Sequence, residues 1–391
     1  MKVSQIIVLS LVAVLSLLGG GLYSHFYQAK APQSEASEKK DFCILEEGII
    51  TDAFSLKLFK QVISENEGNV LTAPHAISDA LYALSQLTGG ISLEEMKSLQ
   101  LRKPTSSPAV NSLHNVILAA DISIPRKETG TGIMAIPFSE NTPLALSIFN
   151  GLLAQTGPDM NARYAKTDNV NERTRLLAGA VAYCCGTWEI PFRKEDSRMA
   201  EFDSKSGAMP SFHQMRSRGN YRTARAGDGT WRAAAMLMQP HEKTPNPRVL
   251  IGIIPSGSAR AFAESLTPDL LSHIRKSLAE ATPEDTLVEF PRLELEVRPF
   301  DMRYILRKLG LTSIFDTEKA DFSGLTNEKI HLNGMIHASA LRLVETDTKS
   351  PASPELDYAK NHISFSRPFI WLIGDLTSDT PFEFMGLVEE M

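Results

Sequence analysis

The sequence predicts an α+β fold on three observations. Helical periodicity is concentrated in the first half of the chain, and long strand patterns fill the second. The apolar share, 43% of residues, is ordinary and sufficient for a sizeable core. At 391 residues, the length allows two domains or one large body.

The folded body begins near Thr51. Phe54, Leu58, Phe59, Val62 and Ile63 recur at helical spacing, with Asp52 placed to cap the first turn. Asn69-Val70-Leu71 reads as a short strand. Pro74 opens a second helix carrying Ile77, Ala80, Leu81 and Leu84, and Gly89-Gly90 reads as its stop. Leu176 to Gly186 is an almost unbroken run of apolar and small residues, the pattern of a strand buried on both faces. Val249 to Ile254 is another apolar strand, stopped by Pro255. Leu293, Leu295 and Val297 alternate with Glu294, Glu296 and Arg298, which predicts a strand with one wet face. Asp301 reads as the cap of a helix holding Met302, Ile305, Leu306 and Leu309, ended by Gly310. Phe369 to Ile373 and Phe382 to Val388 read as closing strands on either side of a turn.

Ahead of the body, Ile6 to Tyr23 form a continuous apolar run after a single Lys2. Residues 1–24 are expected to be a signal peptide or an N-terminal membrane anchor, with 6–23 as the tethering segment. Either role exports the body, so an extracytoplasmic location, secreted or anchored, is expected. Residues 25–48 are polar and rich in Pro, Ser and Lys, and read as a flexible tether. The net charge of -6 is modest and forms no basic stripe, which argues against a nucleic-acid partner. The three cysteines, Cys43, Cys184 and Cys185, make no disulfide framework. A vicinal pair rarely closes a disulfide, and Cys184-Cys185 reads as two small hydrophobes on a buried strand.

Catalytic chemistry finds no foothold. The chain has no G-x-S-x-G elbow, no P-loop and no H-E-x-x-H motif. Ser256 is a turn serine, His241-Glu242 lacks a second histidine, and His213 and His337 lie far apart and near no nucleophile. No enzyme activity, cofactor or metal is expected.

The most informative stretch runs from Val344 to Phe369. A strand pattern enters it at Glu345, polar residues follow with no period, and the chain returns to a core at Phe365, Pro368 and Phe369. A long exposed loop pinned at both ends of a compact domain is uncommon, and such loops are often functional.

Several segments together resemble the serpin family. Asn69-Val-Leu-Thr-Ala-Pro74 with the following helix, Gly186-Thr-Trp188-Glu-Ile-Pro191-Phe192, His213-Gln214 with Tyr221, and Leu309-Gly-Leu311 through Phe315 are similar to its motifs. So are Ala320-Asp-Phe-Ser-Gly-Leu325, Ile336-His337 with Glu345, Arg367-Pro-Phe369 and Phe384-Met-Gly386. The motifs fall in the family's order over residues 49–391. The resemblance implies one serpin-like domain with three β-sheets and eight to nine helices, and an exposed reactive-loop equivalent at 345–363. It implies a monomer whose loop is bait for an extracellular serine or cysteine protease. Cutting releases stored conformational energy as the loop inserts into the largest sheet.

The loop departs from the family's usual inhibitors at its hinge. Glu345, Thr346, Asp347, Thr348 and Lys349 begin it, and Asp347 stands where a glycine is usual. Lys349, Pro351 and Pro354 interrupt a run that is usually small. Thr348, Ser350, Ala352, Pro354 and Leu356 would share one uncharged face. Each proline still removes a ladder bond, about 1 kcal/mol or more. Insertion is therefore expected to be slowed and suicide trapping impaired, leaving a bait-like competitor, or a non-inhibitory binding or scaffold protein. Tyr358, Lys360 and Asn361 mark the candidate scissile region. Counting back from Phe365 lands nearer Asp357. Lys360 suits a trypsin-like protease, and Tyr358 or Leu356 a chymotrypsin-like one. His337 and Trp188 mark the region where the sheet would open. The family's usual polar partners of that histidine are replaced by Ala73, Ala76 and Ala180.

Overall fold

The helices form where apolar stripes and caps coincide. Helix α1 (Ala53–Glu65) buries Phe54, Leu58, Phe59, Val62 and Ile63, the stripe legible in the sequence. Helix α2 (Pro74–Ser85) starts on a proline, whose missing N–H costs nothing at that position. It ends at Ser85, before the glycine pair. Gly89 instead precedes α3 (Gly90–Ser98) as its N-cap. The reason is tertiary: Gly89 N–H donates to the Asp321 carbonyl at 3.1 Å, and a Cβ on Gly89 would lie 2.4 Å from Ser323 Oγ. Helices α4 (Thr142–Leu153), α5 (Ala259–Ser265) and α6 (Pro268–Glu280) are capped by Asn141, Ser258 and Thr267 side chains. Asp301 closes a strand, and its Oδ1 accepts from Arg303 N–H at 3.0 Å at the start of α7 (Arg303–Lys308).

The computed structural model describes residues 53–101, 112–122, 133–154, 170–185, 188–238, 248–346, 355–376 and 382–391. These belong to one unit, Ile50–Met391. The expected cap Asp52, the N-terminal apolar run, the tether and Cys43 lie outside the described residues. Among those described, no helix is long and apolar enough to cross a membrane.

One sheet has five strands in the order β10 (Leu293–Asp301), β11 (Gly334–Leu343), β4 (Leu176–Cys185), β2 (Ser112–Ala120) and β3 (Ile133–Ala135). Its centre is a parallel seam. β11 pairs with β4 from Gly334 opposite Leu177 to Arg342 opposite Cys185. Both faces of that seam are covered. Leu176, Ala178, Ala180, Ala182 and Cys184 point into the main core. Leu177 and Val181 join Phe149 and Leu153 of α4 in a second core, together with Ile336 and Ala338 of β11. This is why β4 reads as an unbroken apolar run. Gly179 permits the close approach, since a Cβ there would sit 2.8 Å from Leu153 and 2.9 Å from Phe149.

The second sheet runs β1 (Val70–Thr72), β14 (Phe384–Val388), β13 (Phe369–Asp375), β8 (Arg248–Pro255), β7 (Trp231–Leu237) and β6 (Ser211–Arg225). The third comprises β5 (Arg198–Glu201), β6, β9 (Glu284–Pro291) and β12 (Asn361–Ser364). The long strand β6 belongs to both, pairing with β7 over Arg222–Arg225 and with β9 over Gln214–Tyr221. The expected three sheets are therefore present, two of them fused through β6. Seven α-helices lie among the described residues, beside the eight to nine expected for the whole domain.

Candidate functional site

The stretch singled out in the sequence leaves the fold at the head of the β4/β11 seam. Trp188 Nε1 donates to the Val344 carbonyl at 2.8 Å, one residue past the end of β11. Trp188 is buried and packs edge-on against Phe192, 5.0 Å between ring centroids. Glu345 follows, with its side chain only 2% exposed. Its carboxylate accepts from Arg292 Nε at 2.9 Å, Arg292 Nη2 at 2.5 Å and Ser197 Oγ at 2.8 Å. Burial alone would raise the Glu345 pKa, but the Arg292 and Ser197 hydrogen bonds win and hold it below the ordinary carboxylate value. Thr346 N–H donates to the Phe192 carbonyl at 2.9 Å. The other hinge residues, Asp347, Thr348 and Lys349, lie outside the described residues.

His337 sits within the seam and is 1% exposed. Its Nδ1 lies 2.9 Å from the Ala180 carbonyl on the facing strand. A carbonyl only accepts, so Nδ1 carries the proton in the neutral ring. Nε2 is buried and has no hydrogen-bond partner among the described residues. Burial pushes the pKa down to about 4, against the smaller opposing pull of the Ala180 hydrogen bond. The polar partners missing at positions 73, 76 and 180 are thus partly replaced by a main-chain acceptor at 180. The histidine links the two strands of the parallel seam, β11 and β4.

The chain comes back to the fold earlier than the apolar pattern suggests. The expected return at Phe365 is preceded by β12, which pairs in parallel with β9 from Asn361 opposite Thr286 to Ser364 opposite Glu289. Asn361, a candidate scissile residue, is therefore the first residue of a strand, and its Nδ2 donates to Glu284 Oε2 at 2.8 Å. Ile363 is buried. The span 345–363 is consequently not exposed at its two ends, where Glu345 and Ile363 are buried. Ahead of β12, Leu356–Tyr358 form a single 3-10 turn with no buried residue, and Lys360 is exposed. Tyr358 is 74% exposed, the highest value for any large hydrophobic side chain among the described residues.

Sequence reasoning missed the charged residues that hold this return. Glu289 on β9 has a side chain 4% exposed. It meets Arg198 Nη2 at 2.9 Å, Arg216 Nε at 3.1 Å and His362 Nε2 at 2.9 Å. Burial raises its pKa, but the His362 and Arg198 interactions outweigh that and hold it low. Arg218 grips Asp285 through two bonds of 2.8 Å, and its Nη1 donates to the Glu355 carbonyl. Arg216 Nη2 reaches Asp357 Oδ1 at 3.1 Å. The signal was available: a carboxylate inside Leu287-Val288-Glu289-Phe290 requires a buried cationic partner.

No described group of His, Cys, Asp and Glu side chains is arranged to hold a metal. Cys184 and Cys185 are free thiols, and burial drives the Cys184 pKa up to about 12, which keeps it an unreactive thiol.

A five-stranded sheet with a closed parallel seam, a second sheet system fused through β6, and an exposed 3-10 turn ahead of β12 are the features of this fold that comparison with known proteins places in a class. The chain belongs to the serpin family: a family model described as Serpin (serine protease inhibitor) matches residues 127–391. It is 25% identical to antithrombin-III of Homo sapiens over 269 residues, which cover 66% of this chain and 56% of that protein. It is 23% identical to plasminogen activator inhibitor 1 of Bos taurus over 414 aligned residues, covering 96% of this chain and 98% of the relative. The fold matches uncleaved ovalbumin with TM-score 0.76 at 15% identity, over 88% of this chain and 100% of that one. It also matches maspin with TM-score 0.74 at 17% identity, over 87% of this chain and 97% of that one.

Proposed function

We propose that this chain is an exported serpin that presents the stretch between Glu345 and Asn361 as bait to an extracellular protease, and that its covalent trapping is impaired. The carrying observation is the closed seam. β11 and β4 are paired along nine residues, with Thr346 still bonded to the Phe192 carbonyl at its head. A loop turning back after Val344 would run antiparallel to β11, and so also to β4. Insertion would exchange one parallel ladder for two antiparallel ones, a gain in both number and quality of strand pairs. That gain is the driving force available to the fold.

The hinge works against it. Asp347, Lys349, Pro351 and Pro354 would enter a seam whose two faces are the main core and the layer under α4. The second face of an added strand is therefore not simply wet at the level of Leu177 and Val181, so charge there costs more than the sequence alone suggests. Slow insertion gives water time to hydrolyse the acyl bond and free the protease. The N-terminal apolar run supplies the export signal or tether, and the exported body acts as a monomer.

Incubation with trypsin-like, chymotrypsin-like and papain-like proteases, followed by a denaturing gel, tests this reading. Loop cleavage without a band at the summed mass is expected, with any rise in thermal stability lagging behind cleavage. A summed-mass band from the natural chain would overturn impairment. The combined variant Asp347→Gly, Lys349→Ala, Pro351→Ala, Pro354→Ala is expected to gain that band.

A further inference from the structure

We infer that Tyr358 is the specificity-determining residue of the bait, that the bond cut is Tyr358–Ala359, and that the partner is a protease whose specificity pocket is an apolar slot for aromatic side chains. The inference rests on the bait reading above and names its target class.

Three observations separate Tyr358 from its neighbours. First, Lys360 is tied down. The next residue, Asn361, is already in β12, paired opposite Thr286 of β9, so Lys360 adjoins a fixed strand. A protease must hold the main chain on both sides of the bond it cuts, so cutting at Lys360–Asn361 requires β12 to be peeled off β9. Second, Asp357 has a partner, because Arg216 holds its carboxylate at 3.1 Å. A pocket selecting an acidic side chain would have to compete with that arginine. Third, Tyr358 stands free. It occupies the last position of the 3-10 turn and shows 74% of its surface to solvent. An exposed tyrosine is a large, stiff, amphipathic group that loses little freedom when a partner buries it.

The turn is preorganised by groups that are themselves fixed. Arg218 is locked by Asp285 and reaches the Glu355 carbonyl. Arg216 is locked by the buried Glu289 and reaches Asp357. These arginines hold the two positions flanking Leu356, while β12 holds the far side. Tyr358 is thereby offered from a short span anchored on both sides, which lowers the ordering cost of docking. Arg216 and Arg218 are positioning residues in this scheme. In the chemical step the protease's nucleophile adds to the Tyr358 carbonyl carbon. The C–N bond to Ala359 breaks, and Ala359 leaves as an amine carrying the nucleophile's proton. Water then releases Tyr358 as a carboxylate.

The test is limited proteolysis of the full chain by chymotrypsin-like, trypsin-like and acid-residue-specific proteases, with the new N-terminus read by mass spectrometry. The expected result is fastest cutting by the chymotrypsin-like enzyme, with Ala359 as the new N-terminus. Tyr358→Ala should lower kcat/KM at this bond by about 30-fold or more, the size of a hot-spot truncation. Tyr358→Lys should transfer susceptibility to the trypsin-like enzyme. Asp357→Asn, which frees Arg216, should raise KM about two- to fivefold with kcat and the cut site unchanged. A dominant new N-terminus at Tyr358 or Asn361, or loss of all cutting in Asp357→Asn, overturns the inference and leaves the bait reading standing. Resistance of residues 346–360 to all three enzymes, with cutting only elsewhere in the chain, overturns both.

Discussion

Glu345 and Glu289 are both buried carboxylates with arginine partners, one at each end of the exposed stretch, yet they hold it differently. Glu345 belongs to the departing chain itself. It is gripped by Arg292 and Ser197, and its neighbour Thr346 adds one main-chain bond. Glu289 belongs to the sheet, where Arg198 and Arg216 balance its charge, and the returning chain meets it through the His362 side chain and through Phe365 N–H, which donates to the Glu289 carbonyl at 2.9 Å. At the return, strand pairing along β12 and the Arg218 contact to Glu355 share the load. The departure point depends on few bonds, and the return on many. Under the proposed insertion, a loop released at one end while attached at the other needs this asymmetry, because the end with fewer and less redundant bonds opens first.

The largest expected effect concerns the seam below Glu345. His337 titrates at about 4 in the folded chain, against an ordinary value of 6.5. Its contribution to stability is therefore complete above pH 6.5 and lost as pH falls towards 4, because the unfolded chain takes up a proton that the folded chain refuses. The loss approaches about 3 kcal/mol over that window. Urea unfolding at pH 7 and pH 4 should show it, and His337→Gln should flatten that part of the profile. An unchanged slope in the variant would place the acid sensitivity elsewhere.

Next come the two carboxylates. Glu345→Gln should cost about 2 kcal/mol, since the Arg292 side chain, 32% exposed, is left only partly solvated. Glu289→Gln should cost about 1 kcal/mol, because Arg216 keeps Asp357 and Arg198 is more than half exposed. Equal losses in denaturant titrations would remove the asymmetry between the ends. Trp188→Phe should have the smallest effect, about 1 kcal/mol or less, from the lost bond to the Val344 carbonyl. Susceptibility of the hinge to proteases should rise with it, while cutting at residues 355–360 stays constant.

Much of this was legible in the chain. The run 176–185 announced a doubly buried strand because both of its neighbouring layers demand apolar side chains. The alternation at 293–297 announced β10. The short strand β12 was hidden because Asn361-His-Ile-Ser364 has one apolar residue, and its pairing with β9 is a contact distant in sequence. Gly89 and Gly90 signalled a stop, but the loop at Asp321–Ser323 made them the start of α3. The acceptor for His337 could not be read, because every residue carries a main-chain carbonyl and only the register of β11 on β4 selects that of Ala180.

The sequence by itself determined the α+β class, the helices and strands with strong period, and the place where an unpatterned polar stretch interrupts them. Those features depend on local spacing of apolar side chains, which a chain carries wherever it folds. The tertiary structure alone decided which arginine meets which carboxylate, where the loop is tied, and which of its residues stands clear. These follow from strand register and from burial, and both are set by residues far apart along the chain.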